Sequence, residues 1–265
     1  MRVTILAALQ EEVDAFRRAR ELLPAAGPAP FAGHRFRHGA IDVLLLRAGV
    51  GKASAAMVTQ YAVDRERPDY LLVTGIAGSI RPGLALGDVV VSRDCVQHDL
   101  DATALGIPLG QVPFTDYRFL AADPRLVALA LATPVAGQRV VAGRILTGDQ
   151  FITAADAAQQ RRLRSLDGDV VEMEGAAIAL VATVNRIPFV IIRSVSDRAD
   201  AAAPADFGAY LRRAAANSCK VCAGILAGLA AQPRPRNRSR PATSARSLPS
   251  ATARGSMRRP QSGCR

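Results

Sequence analysis

The sequence predicts an α/β fold, a three-layer sandwich in which helices cover both faces of a largely parallel sheet. Two patterns point to it. Short apolar runs rich in β-branched residues alternate with longer segments whose apolar residues recur three and four apart, and glycines mark several of the junctions between them. At 265 residues and 49% apolar content, the chain can bury a core of that kind.

Taken in order, the VTILAA run predicts a strand over residues 3–8, and the spacing of Val13 and Phe16 predicts a helix over 11–23. The continuous apolar run at 43–48 reads as a buried strand, and Gly49 and Gly51 open a helix over 52–64. A strand at 70–74 is followed by Gly75 and Gly78, where backbone can come close to a ligand. Further strands are expected at 88–92, 139–146 and 189–194, and further helices at 157–165, 174–184 and 207–229.

The net charge of +11 raises nucleic acid as a partner, so its location matters. Residues 233–265 contain nine Arg and no Lys, Asp or Glu, which leaves +2 on residues 1–232. A nucleic-acid partner is therefore not expected for the folded domain, residues 1–232. The Pro-, Arg- and Ser-rich segment 233–265 has no apolar periodicity and is expected to be a disordered tail. An RNA- or membrane-touching arm stays open for it, but the absence of aromatic or amphipathic pattern favours a dispensable extension.

MRVTILAAL is followed at once by Glu11 and Glu12 and by no small-residue cleavage site, so it reads as a strand and not as a signal peptide. No uninterrupted apolar stretch reaches the ~18 residues of a membrane span. A soluble, cytoplasmic protein is expected, with Cys95, Cys219, Cys222 and Cys264 as reduced thiols.

Three acidic positions stand at the ends of expected elements, where open α/β sheets place their sites. Glu12 follows the first strand, although a carboxylate there also suits a helix start through the macrodipole. Glu172 and Glu174 bracket Met173 at the head of an apolar helix, where a surface helix-start charge is the plainer alternative. Asp197 ends a buried apolar strand, as a site residue or as an N-cap or Asx turn. Other candidates are weaker. Cys219 and Cys222 have redox-motif spacing but fall within an expected helix, and the glycines of GIAGSI lack the spacing of a phosphate-binding loop. His98 and Asp99 have only His34 and His38 to complete a metal set, so no metal is expected.

In register, AALQEEV, AGVGKASAA, TGIAGSI, LGDVVVS with QHDLDATALG, TGDQFI, VEMEGAAIA and RSVSDRAD resemble the 5′-methylthioadenosine/S-adenosylhomocysteine nucleosidases of the nucleoside phosphorylase superfamily. The resemblance covers about residues 1–230. It implies a mixed central sheet flanked by helices, a homodimer, no cofactor, and cleavage of the N-glycosidic bond by water. It further implies that Asp197, oriented by Ser196, protonates adenine N7 and that Glu12 holds and activates the water, in the logic of two-carboxylate glycoside hydrolysis. Glu174 would accept the ribose 2′- and 3′-hydroxyls, with Met173 against the sugar and Arg193 beside the water. Phe151 and Ile152 match the base-recognition positions. Val50, Phe207 and, from a partner subunit, Ala102, Leu105 and Pro113 match an apolar 5′ pocket. Gly51, Ala77, Gly78 and Glu172 complete the implied substrate-binding set.

A phosphorylase must bind a phosphate dianion beside the sugar, where the Glu12 carboxylate would repel it. Ile76 also supplies no hydroxyl, although Ser is common at that turn in the resembling family, so the same residue departs from the nucleosidase pattern. Two rivals remain: a sister hydrolase acting on a futalosine-type nucleoside, and a non-catalytic nucleoside-binding protein.

Overall fold

The computed structural model describes residues 1–152, 157–197 and 207–232. In chain order, β1 (Arg2–Ala7) leads to α1 (Gln10–Ala19), and β2 (Leu23–Ala25), β3 (Gly33–His38) and β4 (Ile41–Arg47) lead to α2 (Lys52–Glu66). Next come β5 (Tyr70–Ser79), β6 (Val89–Gln97), a 3-10 turn (Thr103–Leu105), β7 (Leu120–Ala121) and α3 (Pro124–Leu131). β8 (Val140–Thr147), α4 (Ala157–Ser165), β9 (Val170–Glu172), α5 (Gly175–Val184), β10 (Phe189–Asp197) and α6 (Phe207–Ala231) follow. The expected tail, residues 233–265, lies outside the described residues.

The sheet is mixed and helix-covered, as expected. Strands β4, β1, β5 and β10 run parallel side by side. β10 also pairs antiparallel with β6, β6 parallel with β8, β8 parallel with β9, and β9 antiparallel with β5. These pairings close β5, β10, β6, β8 and β9 into a ring, with β1, β4, β3 and β2 fanning out from it. Helices α1 and α3 pack on α6, which lies on β5 and β10, while α2 packs on α5, which contacts β6 and β8. Covered on both sides, β10 is buried from Phe189 to Ser196. Its unbroken apolar start, Phe189–Ile192, is the composition that a two-faced core demands.

Helix α6 is long and apolar enough to cross a membrane by length and composition alone. Its Leu211, Ala214, Ala215, Val221, Cys222, Ile225, Leu226 and Leu229 are buried, so it serves here as a core helix. Each fully buried Leu or Ile contributes ~1.5–3 kcal/mol relative to exposure.

Two expectations need correction. The first helix stops at Ala19 and not at residue 23, because Leu23 precedes a proline, which disfavours helical backbone, and Leu23–Ala25 pairs with β3 instead. Gly75 and Gly78 do not follow a strand but lie within β5, which continues to Ser79.

Candidate active site

The carboxyl ends of β1, β5, β10, β8 and β9 meet around one cavity of about 190 Å³. Its wall includes Glu12, Val50, Ile76, Ala77, Gly78, Phe151, Ile152, Met173, Glu174, Arg193, Ser196 and Asp197. Glu12 stands one turn into α1 and reaches back to the strand-helix junction. Its Oε2 accepts from the backbone N–H groups of Ala8 (2.7 Å) and Leu9 (3.0 Å), and its Oε1 from Ile76 N–H at 3.3 Å. Burial pushes the Glu12 carboxyl pKa up, and Arg193 and these three N–H groups oppose the rise.

Arg193 is 1% exposed. Its Nη1 donates to Thr74 O at 3.1 Å, and its Nη2 donates to Glu172 and, at 3.4 Å, to Glu174 Oε2. Burial alone would lower the pKa of this guanidinium; the charges of Glu172, Glu174 and Glu12 hold it up. Gly75 makes room for the arrangement. A Cβ there would stand 1.8 Å from Arg193 Nη1 and 2.9 Å from Glu12 Oε1, so only glycine lets β5 pass both groups.

Glu174 precedes α5 as its N-cap residue and accepts Gly51 N–H on Oε1 at 2.9 Å. Burial and the neighbouring Glu172 charge push its carboxyl pKa up to about 7, against the pull of Arg193. The adjacent Lys52 N–H donates to Asp149 Oδ1 at 2.8 Å. Asp149 N–H in turn reaches Asp99 Oδ2 at 2.9 Å, and Lys52 Nζ reaches Asp99 Oδ1 at 2.6 Å. Two successive N–H groups at the start of α2 thus tie Glu174 and the 148–152 loop to one point. Gly51, with φ +95°, has no side chain to cap that start, and the two carboxylates do so instead.

At the end of β10 the Ser196 hydroxyl donates to Asp197 Oδ2 at 2.8 Å. The cavity is therefore framed by buried carboxylates around one guanidinium, a second carboxylate site at Asp197, and apolar walls. Such an arrangement can move protons and stabilise a cation. Among the described residues no three His, Cys, Asp or Glu side chains form a group that could hold a metal. His98 is buried against Gly148, and burial lowers its pKa.

Residues 2–227 match the phosphorylase superfamily. A 5′-methylthioadenosine/S-adenosylhomocysteine nucleosidase of Geobacillus sp. strain WCH70 is 39% identical over 233 residues, spanning 86% of this chain and 99% of that protein. The chain belongs to the 5′-methylthioadenosine/S-adenosylhomocysteine nucleosidase family. A solved nucleosidase of this family from Neisseria meningitidis, in complex with methylthio-immucillin-A, is 34% identical with a TM-score of 0.80, covering 86% of this chain and 99% of that one. The futalosine hydrolase of Helicobacter pylori strain 26695 is also similar, at 26% identity and a TM-score of 0.79 over 86% of this chain and 98% of that one.

Of the positions that the nucleosidase resemblance selects, Glu12, Val50, Ala77, Gly78, Phe151, Ile152, Glu172, Met173, Glu174, Arg193, Ser196 and Asp197 all line the cavity. Glu172 and Glu174 are buried and are not surface helix-start charges. Gly51 contributes through its N–H to Glu174. Ala102, Leu105 and Pro113, assigned to a partner's pocket, do not line the cavity of their own chain, and Leu105 is 70% exposed. The side chain of Phe207 lies outside the described residues. Sequence reasoning missed Ala8, Leu9, Gln150 and Val171 in the wall. Gln150 lies within TGDQFI and was within reach of that motif, whereas Val171 sits in a strand too short to show a period.

Proposed function

We propose that the chain hydrolyses the N-glycosidic bond of 5′-methylthioadenosine and S-adenosylhomocysteine, giving adenine and a 5-thio-substituted ribose. The observation that carries this is the convergence of Glu12, Glu174 and Arg193 on the cavity that Asp197 also lines. Asp197, steadied by Ser196, gives its proton to adenine N7, and the C1′–N9 bond breaks with its electron pair going to the base. The sugar gains oxocarbenium character, which the nearby carboxylates stabilise. Glu12 takes a proton from the attacking water as its oxygen bonds to C1′. Glu174 accepts the ribose hydroxyls, Phe151 and Ile152 face the base, and Val50 borders the thioether side.

The second reading, a futalosine-type substrate, would bring a carboxylate to the 5′ side. Of the two loops that could meet it, 99–117 holds Asp99, Asp101 and Asp116 and no Lys or Arg, which disfavours it, whereas 198–208 carries Arg198, so the substrate panel decides between the two readings. Adenine or hypoxanthine release should be measured for 5′-methylthioadenosine, S-adenosylhomocysteine, adenosine, inosine and futalosine, each with and without phosphate. Phosphate-independent release fastest with the two thio-nucleosides is expected; dependence on phosphate would overturn the role given to Glu12.

The reading extends to a cytoplasmic homodimer whose partner closes the 5′ side. In its support, Leu105 is 70% and Phe114 92% exposed, apolar side chains in the segment that the shared pocket would use. Sedimentation equilibrium is expected to give twice the chain mass, and a monomer at assay concentration would sink the shared pocket.

A further inference from the structure

Glu172 ends β9 with its carboxylate enclosed by the protein's own donors. Oε1 accepts from the Thr147 hydroxyl and from Gly175 N–H at 3.0 Å. Oε2 accepts from Glu174 N–H at 3.1 Å, from Gly175 N–H at 2.8 Å and from Arg193 Nη2. A carboxylate offers roughly four lone-pair sites, and these donors occupy them. Although Glu172 borders the cavity, it has no acceptor left for a ribose hydroxyl. Its partners come from β8, β10 and the head of α5, and Thr147 Oγ1 also accepts Ala176 N–H at 2.8 Å. One side chain therefore fixes three elements at the cavity floor.

We propose that Glu172 is a positioning residue for the hydrolysis: it holds the Arg193 guanidinium and the turn that presents Glu174, and it acts on the nucleoside only through them. The inference rests on the nucleosidase reading of the cavity given above. A buried guanidinium must be paired closely, and two carboxylates compete for this one. Glu172 takes the close contact, and Glu174 stays at 3.4 Å. That division leaves Glu174 Oε2 with one long contact and a lone pair to offer the substrate. Without the Glu172 charge, Arg193 would close on Glu174 and occupy the oxygen that the ribose needs.

The charged groups facing Glu174 are Glu172 from β9, Arg193 from β10 and Glu12 from α1, with the Gly51 N–H at the start of α2. Burial and the two glutamates raise its pKa; Arg193 and the N–H lower it. Loss of the Glu172 charge removes a raising influence and frees Arg193 to act more strongly, so both effects move the Glu174 titration to lower pH.

The test is Glu172→Gln in the full chain, with kcat and KM for 5′-methylthioadenosine followed across pH, and the Glu174 carboxyl titrated by carbon-13 NMR. The expected result is kcat lower by about 10- to 100-fold, the range for losing a group that orients a site residue, accompanied by a raised KM as Arg193 takes the Glu174 oxygen from the ribose. The Glu174 midpoint should fall below its value of about 7. A raised KM with unchanged kcat would mean that Glu172 touches substrate, and an unmoved Glu174 midpoint would mean that it is only structural. Either overturns the proposal. Should the Gln variant not fold, Glu172→Asp keeps the charge but shortens the reach; lowered kcat with a near-native midpoint is expected, and native kcat overturns the proposal. If the wild-type protein released no adenine, the nucleosidase reading would fall, while the NMR titration would still decide whether Glu172 governs Glu174.

Discussion

Replacing Asp197 with Asn is expected to lower kcat for 5′-methylthioadenosine by about 10²- to 10⁴-fold, the usual contribution of a positioned general acid, with KM little changed. The amide has nearly the same shape, and its oxygen can still accept the Ser196 hydroxyl that now lies 2.8 Å from Asp197 Oδ2. What it cannot do is pass a proton to adenine N7. Adenine then leaves as an anion, a far poorer leaving group. Steady-state kinetics alongside an adenine-binding titration separate the two effects, and near-native turnover would remove Asp197 from the mechanism.

Glu12→Gln is expected to produce a loss in the same range, about 10²- to 10⁴-fold in kcat, for a different reason. The variant cannot take the water's proton and brings no negative charge to the cationic sugar. It also has one acceptor oxygen where Glu12 uses two, with Ala8 and Leu9 N–H on one and Ile76 N–H on the other. At least one of those N–H groups loses its partner, at a cost of ~1–3 kcal/mol in stability. The pH profile carries its own signature. Burial holds the Glu12 pKa above its ordinary value, and the reaction needs the carboxylate, so wild-type kcat/KM should fall as pH drops through that raised pKa. The limb due to Glu12 should vanish in the Gln variant, and a pH–rate profile with the same acid limb in both proteins would rule Glu12 out as the base.

How legible these features were in the sequence depends on the range over which each is determined. Helix α4 spans Ala157–Ser165, as its local periodicity implies, and the carboxylates of the site stand out because each lies at the end or the head of an expected strand or helix. Helix α3 was legible but missed: Asp123 caps it by accepting Arg125 N–H at 3.0 Å and Leu126 N–H at 3.1 Å, and Pro124 follows in the first turn, which is a recognisable start signal. The three-residue β9 was not legible, because its strand state comes from pairing with β5 and β8 and not from any period of its own. The extension of β5 to Ser79 likewise depends on pairing with β10 and β9, and Gly75 within it on room for Arg193 and Glu12, all far away in sequence. The tie of Lys52 to Asp99 and Asp149 joins three separate segments. No window of sequence contains it.

The ring of β5, β10, β6, β8 and β9 also bears on how this chain keeps to itself. A strand with one free side is a template for pairing with another chain, and each ring member has a neighbour on both sides. The fan beyond the ring ends at β2, which is three residues long and has Pro24 at its centre, a residue with no N–H to offer. The other strand outside the main path, β7, has two residues. Among the described residues, the strands that end the sheet, β2 and β7, therefore offer at most three residues to a strand from another molecule, even though the sheet includes some of the most apolar runs in the chain.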